Sequence, residues 1–358
     1  MAIEALVARR RGRRIYHLSI AVSDVACGIT SQLFNIFSAS LGVLAYVAVY
    51  ELFHAVELDA AAPSTWLLGL LLVDLSYYWW HRMSHEVNAL WAAHVVHHHS
   101  EDLNLAVALR QAVFTSFTFI PFAVPLALLG VPPVVYFVCK AIDTLYQFWI
   151  HTELIRRVGP AEAVLNTPSH HRVHHGINPQ YLDKNYGGVL IVWDRLFRTF
   201  EPEVERPVYG TTKPLRSLNP LWANLQPLLD VVRLARSAPD WRGFFYAFVA
   251  PPGWRPGGLV PPADPEELRE RAAHPFDVPA SPALATYIAV QAALAVPATM
   301  ALLIHSASAP PAVVLAGVAL LTAGTVAWAG LFERRPWAWP LELARVIAGV
   351  VLLHYLMA

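Results

Sequence analysis

Long apolar stretches separated by short polar segments dominate the chain, and each stretch is close to the length of a membrane-spanning helix. About 20 apolar residues in a helix cross a hydrocarbon core of about 30 Å. The pattern therefore predicts an all-α fold, a polytopic membrane helix bundle with about seven spans. The predicted spans are residues 33–53, 64–80, 112–131, 132–150, 282–304, 311–331 and 337–356.

Proline, glycine and charged residues interrupt the apolar pattern between residues 251 and 282, which is the clearest boundary in the chain. We interpret residues 1–250 as a first membrane domain whose motifs lie in about 73–203. Residues 251–282 are interpreted as a cytoplasmic linker with one short helix, and residues 283–358 as a C-terminal transmembrane bundle.

The distribution of arginine predicts the orientation of the spans. An arginine-rich segment at residues 9–14 precedes the first span, an acidic loop follows it, and arginine returns at Arg82 and Arg156 after the second and fourth spans. Positive residues near span ends favour the cytoplasmic side. We therefore expect a multi-pass integral membrane protein with all its histidine clusters in a helical cap on the cytoplasmic side.

Composition supports a membrane protein and excludes several other classes. Of the 358 residues, 56% are hydrophobic and only 15% are charged, whereas soluble proteins carry about 25% charged residues. Lys+Arg and Asp+Glu balance at 26 each, so no net positive field attracts nucleic acid, and none is expected as a partner. Two distant cysteines, Cys27 and Cys139, exclude a disulfide framework and a cysteine-rich metal site.

Eleven of the 16 histidines lie between His81 and His175. They form three clusters, HRMSH at 81–85, HVVHHH at 94–99 and HHRVHH at 170–175, with His151 standing alone between the last two. Residues four apart on a helix lie on the same face, so HxxxH directs two imidazoles to one point and HxxHH directs its first and last histidines together. Five isolated histidines are interpreted as core or interface residues: His17, His54, His274, His305 and His354.

One HxxxH and two HxxHH motifs offer eight imidazole ligands, which is too many for one metal ion and suits two. Imidazole suits zinc, copper, iron and nickel better than calcium or magnesium. We interpret the clusters as a membrane di-iron centre that activates O2. A zinc protease needs HExxH, and that motif is absent because Val-Asn-Ala follows His85-Glu86.

Two aspartates inside predicted spans share helix faces with histidines, Asp74 with His81 and His85, and Asp143 with His151. Ionisable groups inside spans are costly and usually functional. A carboxylate commonly accepts a hydrogen bond from the second ring nitrogen of a ligating histidine. We therefore consider this supporting role for Asp74 and Asp143, with ordinary helix–helix hydrogen bonds as an equal alternative.

The three motifs on membrane hairpins resemble the fatty acid hydroxylase/sterol desaturase superfamily, whose members carry a non-haem di-iron centre. The resemblance covers about residues 73–203, and the text around the motifs, including HRMSHEVNALWAAH and TPSHHRVHHGINPQYLDKNYGG, is similar to the ether-lipid-cleaving branch of that superfamily. By position, the resemblance implies nine iron ligands: His81, His85, His94, His97, His98, His151, His171, His174 and His175.

The resemblance also bears on three neighbouring residues. Glu86, directly after HxxxH, matches this branch and is implied to contact a cofactor or a ligating histidine. His99 stands where the branch usually has a small polar residue, so we treat it as an extra. His170 precedes the third motif and is expected near the metal rather than on it.

For this branch, the implied activity is that of a monooxygenase that hydroxylates the carbon next to the ether oxygen of a membrane glyceryl ether. The product would collapse to a fatty aldehyde and a glycerol, and tetrahydrobiopterin would supply the electrons. One alternative is a lipid, sterol or fatty acid hydroxylase or desaturase with a ferredoxin or cytochrome as redox partner. A less favoured alternative is a metal transporter or sensor, whose histidines should lie near the bilayer midplane.

Overall fold

The computed structural model describes residues 1–261 and 264–357, which are mostly helical. The helices before residue 200 are α1 (Ala2–Arg10), α2 (Leu18–Phe53), α3 (Pro63–Glu86), α4 (Asn88–Ala92), α5 (Thr115–Leu128), α6 (Pro133–Ile150), α7 (Pro168–His174) and α8 (Val192–Leu196). The later helices are α9 (Pro220–Arg236), α10 (Trp241–Val249), α11 (Pro265–Ala273), α12 (Pro282–His305), α13 (Pro311–Phe332) and α14 (Ala338–Met357). A short antiparallel hairpin joins β1 (Trp254–Arg255) to β2 (Gly258–Leu259).

All seven predicted spans fall on helices, but four helices among the described residues are both long and apolar enough to cross a membrane. These are α2, α12, α13 and the Ala338–Tyr355 part of α14. Helix α5 has 14 residues, which at 1.5 Å per residue covers about 21 Å, less than the hydrocarbon core. Helices α3 and α6 contain charged residues that lower their hydropathy.

Helix α2 begins at Leu18, well before the predicted span at 33–53, and runs for 36 residues. The additional residues at its start include Asp24. In the structure, Asp24 is fully buried and its Oδ1 lies 3.0 Å from Nη1 of Arg110. This pairing lets the helix continue through a buried carboxylate, which would otherwise be strongly destabilising.

Two hydrophobic cores share α2. Its first half packs with α12 and α13 around Trp328. Its second half packs with α3, α5 and α6, where the rings of Tyr46 and Tyr136 stack at 4.0 Å. Helix α3 ends in the first histidine segment and α6 ends directly before His151, so these histidines gather at one end of that helix group.

Candidate metal centre

Nine buried histidines come together in two adjacent groups. Within each group, one nitrogen from every ring lies within 4.8 Å of the corresponding nitrogens of all the other members. They are the nine residues for which the resemblance implied metal ligation. The first histidine group is His81, His85, His94, His98 and His174, and the second histidine group is His97, His151, His171 and His175.

In each HxxHH motif, the middle histidine belongs to a different group from the first and last histidines. In the second cluster, His94 and His98 join the first group, while His97 joins the second. In the third cluster, His174 joins the first group, whereas His171 and His175 join the second. The two groups are therefore in contact, and the rings of His98 and His175 stack with 4.5 Å between their centroids.

Backbone carbonyls hold four of the nine rings through their Nδ1 atoms. His81 contacts the carbonyl of Tyr186 at 2.8 Å, and His174 contacts that of Lys184 at 3.0 Å. In the second group, His97 contacts the carbonyl of Arg110 at 2.9 Å and His151 that of Gln147 at 2.7 Å. A carbonyl can only accept, so Nδ1 carries the proton in each ring and Nε2 presents a lone pair to the group interior.

The remaining ring nitrogens fit a bound cation. The Nε2 atoms of His97 and His151 are 3.2 Å apart, although both present lone pairs, which is unfavourable unless a cation lies between them. In the first group, the Nε2 atoms of His81, His85 and His174 are buried without a hydrogen-bond partner. Unsatisfied buried groups are costly, and one metal ion in each group would satisfy them.

Burial also keeps the rings in the protonation state that metal binding requires. It lowers the pKa of His97 to about 4 and that of His174 to about 3. For the other group members outside α3, burial lowers the pKa well below the ordinary value of about 6.5, and neighbouring imidazoles add to the effect: His94, His98, His151, His171 and His175. Neutral imidazoles at pH 7 are ready to coordinate a metal ion.

Asp74 supports the first histidine group through the backbone rather than through a ring nitrogen. Its carboxylate accepts hydrogen bonds from the backbone N–H groups of Val189 and Leu190, at 2.7 and 3.1 Å, and from the indole of Trp193 at 2.7 Å. These bonds anchor the loop that supplies the Tyr186 carbonyl to His81. The sequence predicted that Asp74 would contact the second ring nitrogen of a ligating histidine. In the structure, the backbone carbonyl of Tyr186 occupies the position next to Nδ1 of His81.

Asp143 and Glu86 also contact groups other than the histidine rings. Asp143 Oδ2 lies 3.2 Å from Nζ of Lys140 and accepts a hydrogen bond from the Gln147 amide at 3.1 Å. Glu86 pairs with Arg82 at 2.8 Å on the surface of α3. No described histidine donates to either aspartate. His170 is buried and His99 is half-buried, and both lie outside the two groups, while His17 binds Asp102 at 2.8 Å.

Arg110 is a site residue that the sequence reasoning did not single out. It is buried, it pairs with Asp24, and its Nε donates to the carbonyl of Val96 at 2.6 Å. Its own carbonyl holds His97, so the ion pair with α2 fixes a ring of the second group. The available signal was an unpaired aspartate in one apolar segment and an arginine in another.

Comparison with known proteins finds relatives of this sequence. The fatty acid hydroxylase family matches residues 66–199, a range that contains both histidine groups. Alkylglycerol monooxygenase of Homo sapiens is 38% identical over 352 residues, which cover 96% of this chain and 78% of the human protein. The Xenopus tropicalis alkylglycerol monooxygenase is 36% identical over 342 residues, covering 93% of this chain and 75% of its own.

A more distant relative matches a smaller share of the chain. Ornithine lipid hydroxylase of Rhizobium tropici is 33% identical over 135 residues, which are 37% of this chain and 41% of that protein. No solved structure matches. The similarity to the vertebrate proteins extends far beyond the 73–203 region in which the sequence alone showed a resemblance, and it includes the C-terminal helices.

Proposed function

Since the chain belongs to the alkylglycerol monooxygenase family, we propose that it hydroxylates the carbon next to the ether oxygen of an alkylglycerol at two iron ions held by its nine clustered histidines. The chain is an oxygen-dependent lipid monooxygenase and an integral membrane protein. The observation that carries the proposal of two ions is the pair of adjacent buried groups whose Nε2 atoms face one another without other partners.

In this proposal, the nine histidines would hold two iron ions, which when bound would supply O2 activation, with tetrahydrobiopterin as the source of electrons. The chain supplies neutral ligands, so the positive charge of the metal pair is not compensated by carboxylates as it is in ferritin-like bundles. Carbonyl contacts fix the direction of the rings, and burial of all nine side chains excludes bulk water from the reacting atoms.

The reaction that fits the family cleaves an ether through hydroxylation. One oxygen atom of O2 enters the C–H bond next to the ether oxygen, and the other leaves as water with two electrons and two protons from the tetrahydropterin. The resulting hemiacetal collapses by breaking the C–O bond, which releases a fatty aldehyde and a glycerol. An apolar substrate with a polar head can reach the histidine groups laterally from the bilayer.

We further propose that α3, α5 and α6 also lie in the membrane, which gives seven embedded helices with the histidine cap on the cytoplasmic side. Exposed apolar residues on these helices support this arrangement, among them Leu67, Leu145 and Val134. Residues 1–250 then form the di-iron hydroxylase domain, and residues 283–358 form the C-terminal bundle beyond the linker.

Aerobic turnover of an alkylglycerol by the iron-loaded full chain in detergent tests the proposal. We expect fatty aldehyde only when a tetrahydropterin is present, and none from the His174→Ala variant. If wild-type protein with two irons per chain forms no aldehyde, ether cleavage is wrong. The match to a lipid hydroxylase then favours hydroxylation of another lipid with a ferredoxin or cytochrome donor, for which Arg156, Arg157, Arg195, Arg198 and Arg206 offer a basic surface.

A further inference from the structure

Helix α10 carries large apolar side chains on both of its sides. Its inner side, with Phe244, Ala247 and Phe248, packs against the end of α9. Its outer side is a row of side chains at positions i, i+4, i+5 and i+8 that the structure leaves exposed. These are Trp241 (68% exposed), Phe245 (63%), Tyr246 (47%) and Val249 (60%).

This outer row is unsuited to contact with water. Helix α10 contains a single charged residue, Arg242, and a helix that is apolar on all sides is normally covered on all sides. The first two turns of α9 also carry exposed apolar side chains, Leu221, Trp222 and Leu225. Exposed apolar surface of this kind marks an interaction site.

The position of α9 indicates that the lipid bilayer covers these exposed apolar side chains. The segment just before α9 is fixed to the end of the membrane-spanning helix α13, because the Ser217 hydroxyl and the Leu218 N–H donate to Glu333 at 2.8 and 2.7 Å. Trp337 and Trp339, at the start of the next span, are exposed at the same end. Tryptophan collects at the boundary between lipid headgroups and acyl chains.

Arginine residues border the apolar row in the way expected at a lipid surface. Arg233 and Arg236 are exposed on the last turns of α9. The guanidinium of Arg242 lies 5.5 Å from the ring centre of Trp241. Interfacial helices combine aromatic residues that enter the acyl region with basic residues that reach lipid phosphates.

We propose that α10 and the first turn of α9 lie flat in the headgroup boundary of one leaflet, with the outer row of α10 in contact with lipid. Asn88 ties α10 to the metal centre: its side chain donates to the carbonyl of Ala247 and its N–H to that of Ala250, both at 2.9 Å. Asn88 begins α4, which leads directly to His94. The interfacial helix therefore sets the depth of the first histidine group relative to the lipid.

Site-directed fluorescence in vesicles tests this placement. The full chain with Phe245→Cys is labelled with a nitrobenzoxadiazole fluorophore and reconstituted in phosphatidylcholine with phosphatidylglycerol. The native cysteines, Cys27 and Cys139, are buried and should not react. We expect brominated acyl chains to quench the label strongly and aqueous iodide to quench it weakly. The matched control is Val204→Cys on a polar loop, where the side chain is 72% exposed and iodide should dominate.

Two outcomes overturn the proposal. Iodide quenching equal to that of the Val204→Cys control would place the helix in water. Protection from both quenchers would mean that protein, such as a second copy of the chain, covers the row. Val249→Cys provides a second position if Phe245→Cys fails to fold. The measurement does not depend on turnover, so its failure is distinct from failure of the proposed reaction.

Discussion

The histidine cap and the three C-terminal helices solve opposite solvation problems within one chain. The cap, residues 81–114 and 151–218, buries two groups of imidazoles and fixes His81 and His97 through the backbone carbonyls of Tyr186 and Arg110. Helices α12–α14 instead leave large aliphatic side chains exposed, such as Leu294, Val350 and Val351. The cap excludes water from polar groups, whereas the helices present an apolar surface to lipid.

The C-terminal helices contain one instructive exception. Glu342 is buried in α14, where it pairs with Arg345 at 2.8 Å and accepts a hydrogen bond from Tyr287 of α12. This polar group is satisfied by one residue on its own helix and one on a neighbouring helix. In the cap, each ring belongs to a group of four or five imidazoles, so a single change there should disturb several neighbours at once and be more damaging.

Removing a histidine should show the largest difference between the two regions. In the cap, we expect His97→Ala to remove the metal ion of the second histidine group and to abolish turnover. In α14, exposed His354→Ala should leave two ions per chain. Metal analysis of the purified variants together with aldehyde assays measures both effects. Equal metal loss in the two variants would contradict the assignment of the histidine groups as metal sites.

Breaking the buried ion pair should have a smaller effect than removing a histidine of the groups. It should lower the free energy of unfolding more than breaking an ion pair near the surface does. Arg110→Met leaves Asp24 buried and unpaired, so we expect the free energy of unfolding to fall by about 3–5 kcal/mol. Arg335→Met removes an exposed pair with Glu333 and should cost about 0–1 kcal/mol. Denaturation in detergent measures both. Similar values for the two variants would show that Arg110 does not anchor the cap to α2.

Replacing a glycine by alanine should give the smallest difference between the two regions. The change in stability should have opposite signs in the cap and in α14. A Cβ at Gly188 would lie 2.6 Å from Asp143 Oδ1 and 3.0 Å from Asp74 Oδ1. Gly188→Ala should therefore destabilise the protein by about 1–3 kcal/mol and lower turnover by displacing the loop that holds His81. Gly349→Ala in α14 meets open space and should stabilise the helix by about 0.5–1 kcal/mol. Thermal unfolding of both variants checks the signs, and stabilisation by Gly188→Ala would contradict the close packing of this loop.

The sequence predicted which histidines gather but not what holds them. Spacing of four residues is local information, and it pairs His94 with His98 wherever the backbone is helix-like. The carbonyls of Lys184 and Tyr186 reach the rings only because the loop turns sharply, with φ of 59° at Asp183 and 56° at Asn185. Aspartate and asparagine tolerate this left-handed conformation, yet nothing local indicates where such a turn will bring its carbonyls.

The helices show the same limit. Apolar stretches located the seven helices, whereas the true start of α2 depends on a partner for Asp24 that lies more than 80 residues away in the chain. Asp74 is a similar case, because its helix face was readable but its partners, the Val189 amide and the Trp193 indole, come from a distant loop. Charged residues in apolar segments thus indicate that a partner exists without identifying it.

The exchange of the middle histidines between the two groups has a consequence for how such a chain can evolve. Each HxxHH cluster contributes to both groups, so neither cluster alone completes a group. A single inserted or deleted residue between His94 and His98 would misplace ligands in both groups at once. The two groups therefore form a single unit, and a chain with only half of this arrangement would complete neither group.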